Sequence, residues 1–149
     1  MPVLRVVTQI AAPPNVCFDL SRSIDLHLES MLASEERAVA SVTSGLIGAG
    51  EEVSWEARHL GRLWRMTSRI HDFDPPHRFV DQMVRGPFTA FRHEHRFEPE
   101  AGGTRMTDVI DFRMGRGPFG LVADPVAAAY LRRLMGIRNA TIRAKAEQG

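Results

Sequence analysis

His93 and His95 stand two residues apart in a stretch that alternates like a β-strand, so both imidazoles point to the same side. Gln82 and Asp108 fall in the neighbouring strand patterns, and the hairpin registers read below put all four on an apolar face. A buried polar group without a partner costs about 1–3 kcal/mol, so an inward cluster of this kind needs something to bond. Three chemistries suit it. A His-x-His pair with Asp108 and His27 could hold a metal. His93 or His95 with Asp108 as partner could take a proton from carbon and steady the enolate oxygen that results. The cluster could also orient the polar end of a bound molecule, and this last use is the expectation adopted, with no metal and no cofactor assigned. Two other sites are excluded. His-Glu-x-x-His needs helical spacing, which His93-Glu94-His95 lacks, and no serine sits in a Gly-x-Ser-x-Gly elbow.

The strands that must carry these residues can be paired by charge and by period. A two-residue loop at Leu60-Gly61 sets Glu56 against Arg65 and Glu52 against Arg69 on one face, and Trp55 against Met66 and Ala57 against Trp64 on the other. Pairing Arg78–Arg85 with Phe88–Phe97 across Gly86-Pro87 sets Asp81 against Arg92 in solvent. Val80, Gln82, Val84, Phe91, His93, His95 and Phe97 then face inward. A two-residue loop at 101–102 or 102–103 adds Met106, Asp108, Ile110 and Phe112 to that inner face, and a one-residue slip would strand Phe91 and Phe97 in water. Glu52, Glu56, Arg65, Arg69, Asp81 and Arg92 form a solvated ladder outside, which contributes little stability.

Around this meander, Val3–Ala11 reads as a first strand ended by Pro13-Pro14. Two short helices follow, the second N-capped by Ser23 and carrying Ile24, His27, Leu28 and Met31, and Val39–Val42 reads as a strand. Gly45, Gly48 and Gly50 are loop signals and not a phosphate loop, since no Lys-Ser/Thr pair opens a helix after them. Asp124-Pro125 predicts the N-cap and first residue of a long helix to about Lys145, preceded by a short piece at Phe119–Ala123. One apolar stripe on it is Val126, Ala129, Tyr130, Leu134, Ile137 and Thr141, with Leu131, Met135, Arg138 and Ile142 alongside. Gly136, about 1 kcal/mol worse than Ala inside a helix, predicts a need for room there. The order of elements is that of an α+β domain over residues 1–149, an antiparallel sheet with one face under a helix. One helix cannot fill a wide curved sheet, and the space left over suits a small apolar ligand.

Composition narrows the partners. With 149 residues, 44% hydrophobic and 25% charged, and a formal net charge of +1, there is no electrostatic case for nucleic acid or for an anionic membrane. The single Cys17 excludes an internal disulfide and any cysteine zinc site. Neither a signal peptide nor a run of 18 apolar residues is present, so the expected location is the cytoplasm, without membrane insertion.

Several segments, in order, carry a family resemblance: Ile10–Phe18, Ser23–His27 with Met31, Gly50–Ala57 with His59 and Gly61, and Asp74-Pro75-Pro76 with Phe79. Gly86-Pro87-Phe88, His93-Glu94-His95 with Phe97, Gly103-Thr104 with Asp108, and Arg138-Asn139 continue it. Together the chain resembles the START/Bet v 1 (SRPBCC) superfamily, and within it bacterial proteins related to polyketide cyclases and to the ubiquinone-binding Coq10 group. The resemblance implies a helix-grip fold, a curved antiparallel sheet of about seven strands wrapped around a long C-terminal helix. It also implies a cavity for a lipid-, polyketide- or quinone-like ligand. The residues expected to line that cavity are Trp55, Trp64, Met66, Gln82, Phe91, His93, His95, Asp108, Ile110 and Met135. The alternatives are a cyclase or dehydratase using His93, His95 and Asp108 as acid–base groups, and a regulatory module that binds partners without a ligand. Whether the chain forms a homodimer is left open.

Overall fold

Pro13-Pro14 does two things at once: it stops the first strand, β1 (Val3–Ile10), and supplies the first residue of the first helix, α1 (Pro14–Ser21). Helix α2 (Ile24–Ser30) begins as expected, with Ser23 Oγ accepting from the Leu26 N–H at 3.1 Å. After a single 3-10 turn at Leu32–Ser34 come β2 (Arg37–Ser41), β3 (Glu52–His59), β4 (Arg62–Asp74), β5 (Arg78–Arg85), β6 (Ala90–Glu100) and β7 (Gly103–Arg113), and then α3 (Gly117–Glu147). The computed structural model describes residues 3–59, 61–115 and 117–148, with residues 117–122 as backbone alone. Leu60, half of the predicted β3–β4 turn, therefore lies outside the described residues. Gly61 takes the left-handed conformation at φ +75° that a tight hairpin turn requires.

The strands form an antiparallel sheet in the order β1-β7-β6-β5-β4-β3-β2. Register shifts in β2 near Ala38–Ala40 and in β4 between Thr67 and Ser68 and between His71 and Asp74 are irregularities of the bulge type, which bend and twist a strand. They curve the sheet around α3, as in the expected helix-grip fold. The β3–β4 register is the predicted one at all four pairs. In β6–β7 the expected inner face holds and, of the two loops open, the structure takes 101–102, with Phe91 opposite Phe112, His93 opposite Ile110, His95 opposite Asp108 and Phe97 opposite Met106.

Two expectations are corrected. The β5–β6 connection is Gly86–Thr89, four residues rather than two, and the register moves by one: Asp81 faces His93, and Gln82 faces Arg92. Paired residues share a face, so Asp81 turns inward while Gln82 is exposed outside, hydrogen-bonded to His71 at 2.8 Å. The shift buries Phe79, 5.3 Å from the Phe18 ring and stacked on His95 at 4.1 Å. That aromatic burial outweighs the exposed Asp81–Arg92 pair on which the expected register rested. The second correction concerns α3, which runs unbroken through Asp124-Pro125. Asp124 does not cap it; its carboxylate accepts from the Met114 N–H at 2.7 Å and so ties the approach to the helix back onto the helix.

The core has two parts. Beneath α1 and α2, Phe18 meets Phe73, Phe79 and Phe97 edge-on at 5.3–5.4 Å, with Ile10, Ile24, Met106 and Ile142 around them. Nearer the start of α3, Leu4, Phe91, Ile110, Phe112 and Met135 form the second. The backbone of α3 sits close to β1, β7 and the two short helices, and stands off from β3 to β5. Phe18→Ala should lower stability by about 3–5 kcal/mol, seen as a reduced urea midpoint at unchanged m-value. A shift under 1 kcal/mol would mean the aromatic cluster is not the packing centre.

Candidate functional site

His93 and His95 arrive on the concave face because β6 alternates, and Asp81 and Asp108 arrive beside them from β5 and β7. The two rings stack at 3.7 Å with planes 21° apart. His93 Nε2 lies 2.8 Å from Asp108 Oδ1, and His95 Nε2 lies 2.6 Å from Asp81 Oδ2. From α3, Arg138 Nη1 reaches Asp108 Oδ1 at 3.4 Å and Asn139 Oδ1 at 2.9 Å, while Nη2 donates to the Ser21 carbonyl at 3.3 Å. Asn139 Nδ2 donates to Asp108 Oδ2 at 2.9 Å and to Thr8 Oγ1 at 3.1 Å. Asp108 therefore has both oxygens bonded, and the network joins four strands to the helix.

The donors assign the tautomers. Arg138 Nη2, which can only donate, lies 3.4 Å from His95 Nδ1, so that nitrogen carries a lone pair and Nε2 carries the hydrogen given to Asp81. His95 is thus neutral, in accord with a pKa lowered to about 4 by burial and by the neighbouring His93 charge, against the pull of Asp81. Burial pushes Asp108 up, but the His93 hydrogen bond and the Arg138 charge outweigh it and hold the carboxyl well below the usual range. Asp81 is lowered in the same way, burial being overcome chiefly by the His95 hydrogen bond, with His93 and Arg138 adding to it.

Asp81, His93 and His95 bring three possible metal-ligand atoms within 4.8 Å of one another. Their geometry favours hydrogen bonding instead. Nearly parallel stacked rings aim their lone pairs side by side rather than at one point, and the remaining His95 nitrogen faces a guanidinium. His27, the further ligand considered from the sequence, is bonded to Glu36 at 2.6 Å and packs on Trp55.

The other sequence-named residues divide among three places. Phe91, Ile110 and Met135 lie in the second core part. Trp55 packs against the first, on the His27 ring. Trp64 and Met66 stay half-buried on the concave side, where α3 stands off. Met83 and Asp81 are half-buried there too, and Met66 and Met83 pack against the second core part together with Ala127, Ala128 and Leu131 of α3. Trp64 donates to the His59 carbonyl at 3.0 Å, and His59 Nδ1 meets Tyr130 Oη of α3 at 2.9 Å. The Ser68 hydroxyl, on the same face, is buried with no partner among the described residues. Gly136 does find room, but elsewhere: a Cβ there would meet nothing within 4 Å, and the residue borders an open groove of about 510 Å³ against Val6 and Thr8.

Sequence reasoning did not name Asp81, Arg138 or Asn139 as site residues. Arg138 was the traceable one, since a charged residue in the apolar stripe of Leu131, Met135 and Ile142 must bond something inside. Asp81 was hidden by the misplaced register.

Residues 1–147 match a family described as polyketide cyclase / dehydrase and lipid transport. No curated protein matches the sequence closely enough to count as a relative. Among solved structures, a Thermus thermophilus protein is similar with a TM-score of 0.76 at 20% identity, over 97% of this chain and 99% of that one. The Zhui aromatase/cyclase from Streptomyces sp. R1128 is similar at 0.74 and 19% identity, over 99% and 94%. The major latex-like protein 151 of Panax ginseng gives 0.67 and 15%, over 97% of each chain. These likenesses are of fold. Among the described residues no helix is long and apolar enough to cross a membrane.

Acid should loosen the cluster. Between pH 6.5 and about 4 the unfolded chain protonates His95 while the folded chain does not, so stability is full above pH 6.5 and falls as pH drops through that window, by on the order of 3 kcal/mol. Below it the lowered Asp81 and Asp108 act with the same sign. Urea titrations at stepped pH should show this slope, and His95→Gln should flatten it between pH 6.5 and 4. An equal slope in both proteins would contradict the assignment.

Proposed function

The chain belongs to the polyketide cyclase / dehydrase and lipid transport family, of the SRPBCC type, and on that premise we propose that it binds a small hydrophobic ligand between the sheet and α3. What supports this is the row of half-buried side chains Trp64, Met66 and Met83 on the concave face, which we take as the wall of a hollow between β3–β5 and α3 beside the second core part. Exposed aromatic and thioether side chains on a concave wall suit a flat or flexible apolar molecule. The polar cluster of His93, His95 and Asp108 borders that wall and gives the site one polar flank.

Binding is favoured over turnover by what those three side chains already do. Both His93 and His95 are turned to carboxylates, Asp108 has no unbonded oxygen, and all three are shut from solvent. A general acid or base must reach the proton it moves, within about 3 Å or through one water. The fully engaged Asp108 is a holder of the histidines rather than an open base.

The test is binding of an apolar probe. Neutral N-phenyl-1-naphthylamine should gain fluorescence with the parent protein. Met66→Trp, which fills the hollow, should weaken that binding about tenfold without lowering Tm. A parent protein that leaves the probe dark, or a filled variant that binds it equally well, would refute the proposed site.

A further inference from the structure

Asp81 has an oxygen to spare. Its Oδ2 is 2.6 Å from His95 Nε2 and 3.7 Å from His93 Nδ1, while Oδ1 has no partner among the described residues. The rest of the cluster is closed: the Asp108 side chain is 0% exposed, His95 3% and His93 6%, against 21% for Asp81. Asp81 points to the concave side from the middle of the sheet, between Ile70 and His93. Its exposed part lies on the same face as Trp64, Met66 and Met83, the wall of the proposed hollow.

We infer that Asp81 is the anchor for the ligand's polar end, and that this end is an uncharged hydrogen-bond donor such as a phenolic or enolic hydroxyl rather than a carboxylic acid. The inference rests on the hollow being the ligand site. An ionised carboxylate accepts and cannot donate, so it selects a donor. His95 acts as a positioning residue: by holding Oδ2 it fixes the direction in which Oδ1 looks, so little freedom is lost when a ligand arrives. A ligand carboxylate would meet like charge. Arg138, the cation of the cluster, is 3% exposed and committed to Asp108, Asn139 and the Ser21 carbonyl, so it is not free to receive an anion. Arg62, lying over the Trp64 ring at 5.0 Å, is exposed at the rim, where solvent screens it.

Three probes sharing one ring system separate the possibilities: naphthalene, 2-naphthol and 2-naphthoate, measured by equilibrium dialysis near neutral pH, where the phenol is uncharged. The parent should bind 2-naphthol at least about tenfold more tightly than naphthalene, the scale of a charge-assisted hydrogen bond, and 2-naphthoate more weakly than 2-naphthol by a similar factor. In Asp81→Asn the amide oxygen is held by His95 and the NH2 faces the hollow. The naphthol advantage should then fall to about threefold or less, and 2-naphthoate should gain. If the parent binds naphthalene but prefers 2-naphthol no more, or takes 2-naphthoate equally well, the role of Asp81 is overturned and the hollow stands. If Asp81→Asn folds and keeps the full preference, the anchor is elsewhere. If none of the three probes and no N-phenyl-1-naphthylamine binds, the hollow itself is refuted and this inference with it. Should the variant not fold, the parent's order of affinities decides alone.

Discussion

A carboxylate with no access to water sits where β6, β7 and α3 meet, and much of the molecule is arranged around keeping Asp108 charged there. An ionised group in such a place is tolerable only with its charge balanced and its oxygens bonded. Arg138 supplies the first condition, and His93 and Asn139 help supply the second. The guanidinium in turn needs acceptors, and finds them in Asn139 and in the carbonyl of Ser21, the last residue of α1. One buried charge thereby fixes the seat of α3 against β1, β7 and the helical elbow at the same time. Apolar packing alone tolerates sliding of a helix by small amounts. A set of directed bonds around one carboxylate does not, and the stand-off of α3 from β3–β5 follows from where it is pinned.

That placement divides the concave face into halves of different character. Under the elbow, Phe18, Phe73, Phe79 and Phe97 close the space by edge-on contact. Toward the start of α3, Trp64, Met66 and Met83 stay half-buried, with Met66 and Met83 packed on the second core part. The buried cluster lies along the seam, and its exposure is graded, with Asp108 sealed and Asp81 open. The chain of contacts runs from Asp108 through the stacked histidines to Asp81. The structural bond to the helix and the group that faces the hollow are therefore ends of the same network.

Much of this was legible in the sequence, and the legible part has a physical reason. In β3–β4 the charge pairs on one face and the apolar pairs on the other both demand the same register, so two independent constraints agree. In β6–β7 three aromatic residues fix which face turns inward, while the loop stays open between 101–102 and 102–103, and the structure takes Ala101-Gly102. The β5–β6 pair lacked that redundancy. One charge pair, Asp81 with Arg92, weighed against one aromatic, Phe79, whose aromatic partners come from three different elements, α1, β4 and β6. Local pairing rules carry no knowledge of such a cluster. The break expected at Asp124-Pro125 failed for a related reason: the acceptor that looked like a helix cap was claimed by the backbone of Met114.

The misread register matters more for chemistry than for fold, because it exchanges an amide for a carboxylate at the half-buried position of the cluster. With Gln82 inside, the polar flank would both donate and accept and would show little preference among alcohols, ketones and acids. With Asp81 inside, it accepts only, and it does so beside a histidine that is neutral because burial, His93 and Arg138 disfavour a further positive charge. A neutral His95 cannot cancel the Asp81 charge; it can only orient it. On the proposed reading the negative charge is presented to the ligand rather than consumed within the protein. Its strength is set by the low-dielectric surroundings that the aromatic half of the core provides. Selectivity at such a site comes less from the shape of the apolar wall, which accommodates many molecules, than from the sign of the single polar contact.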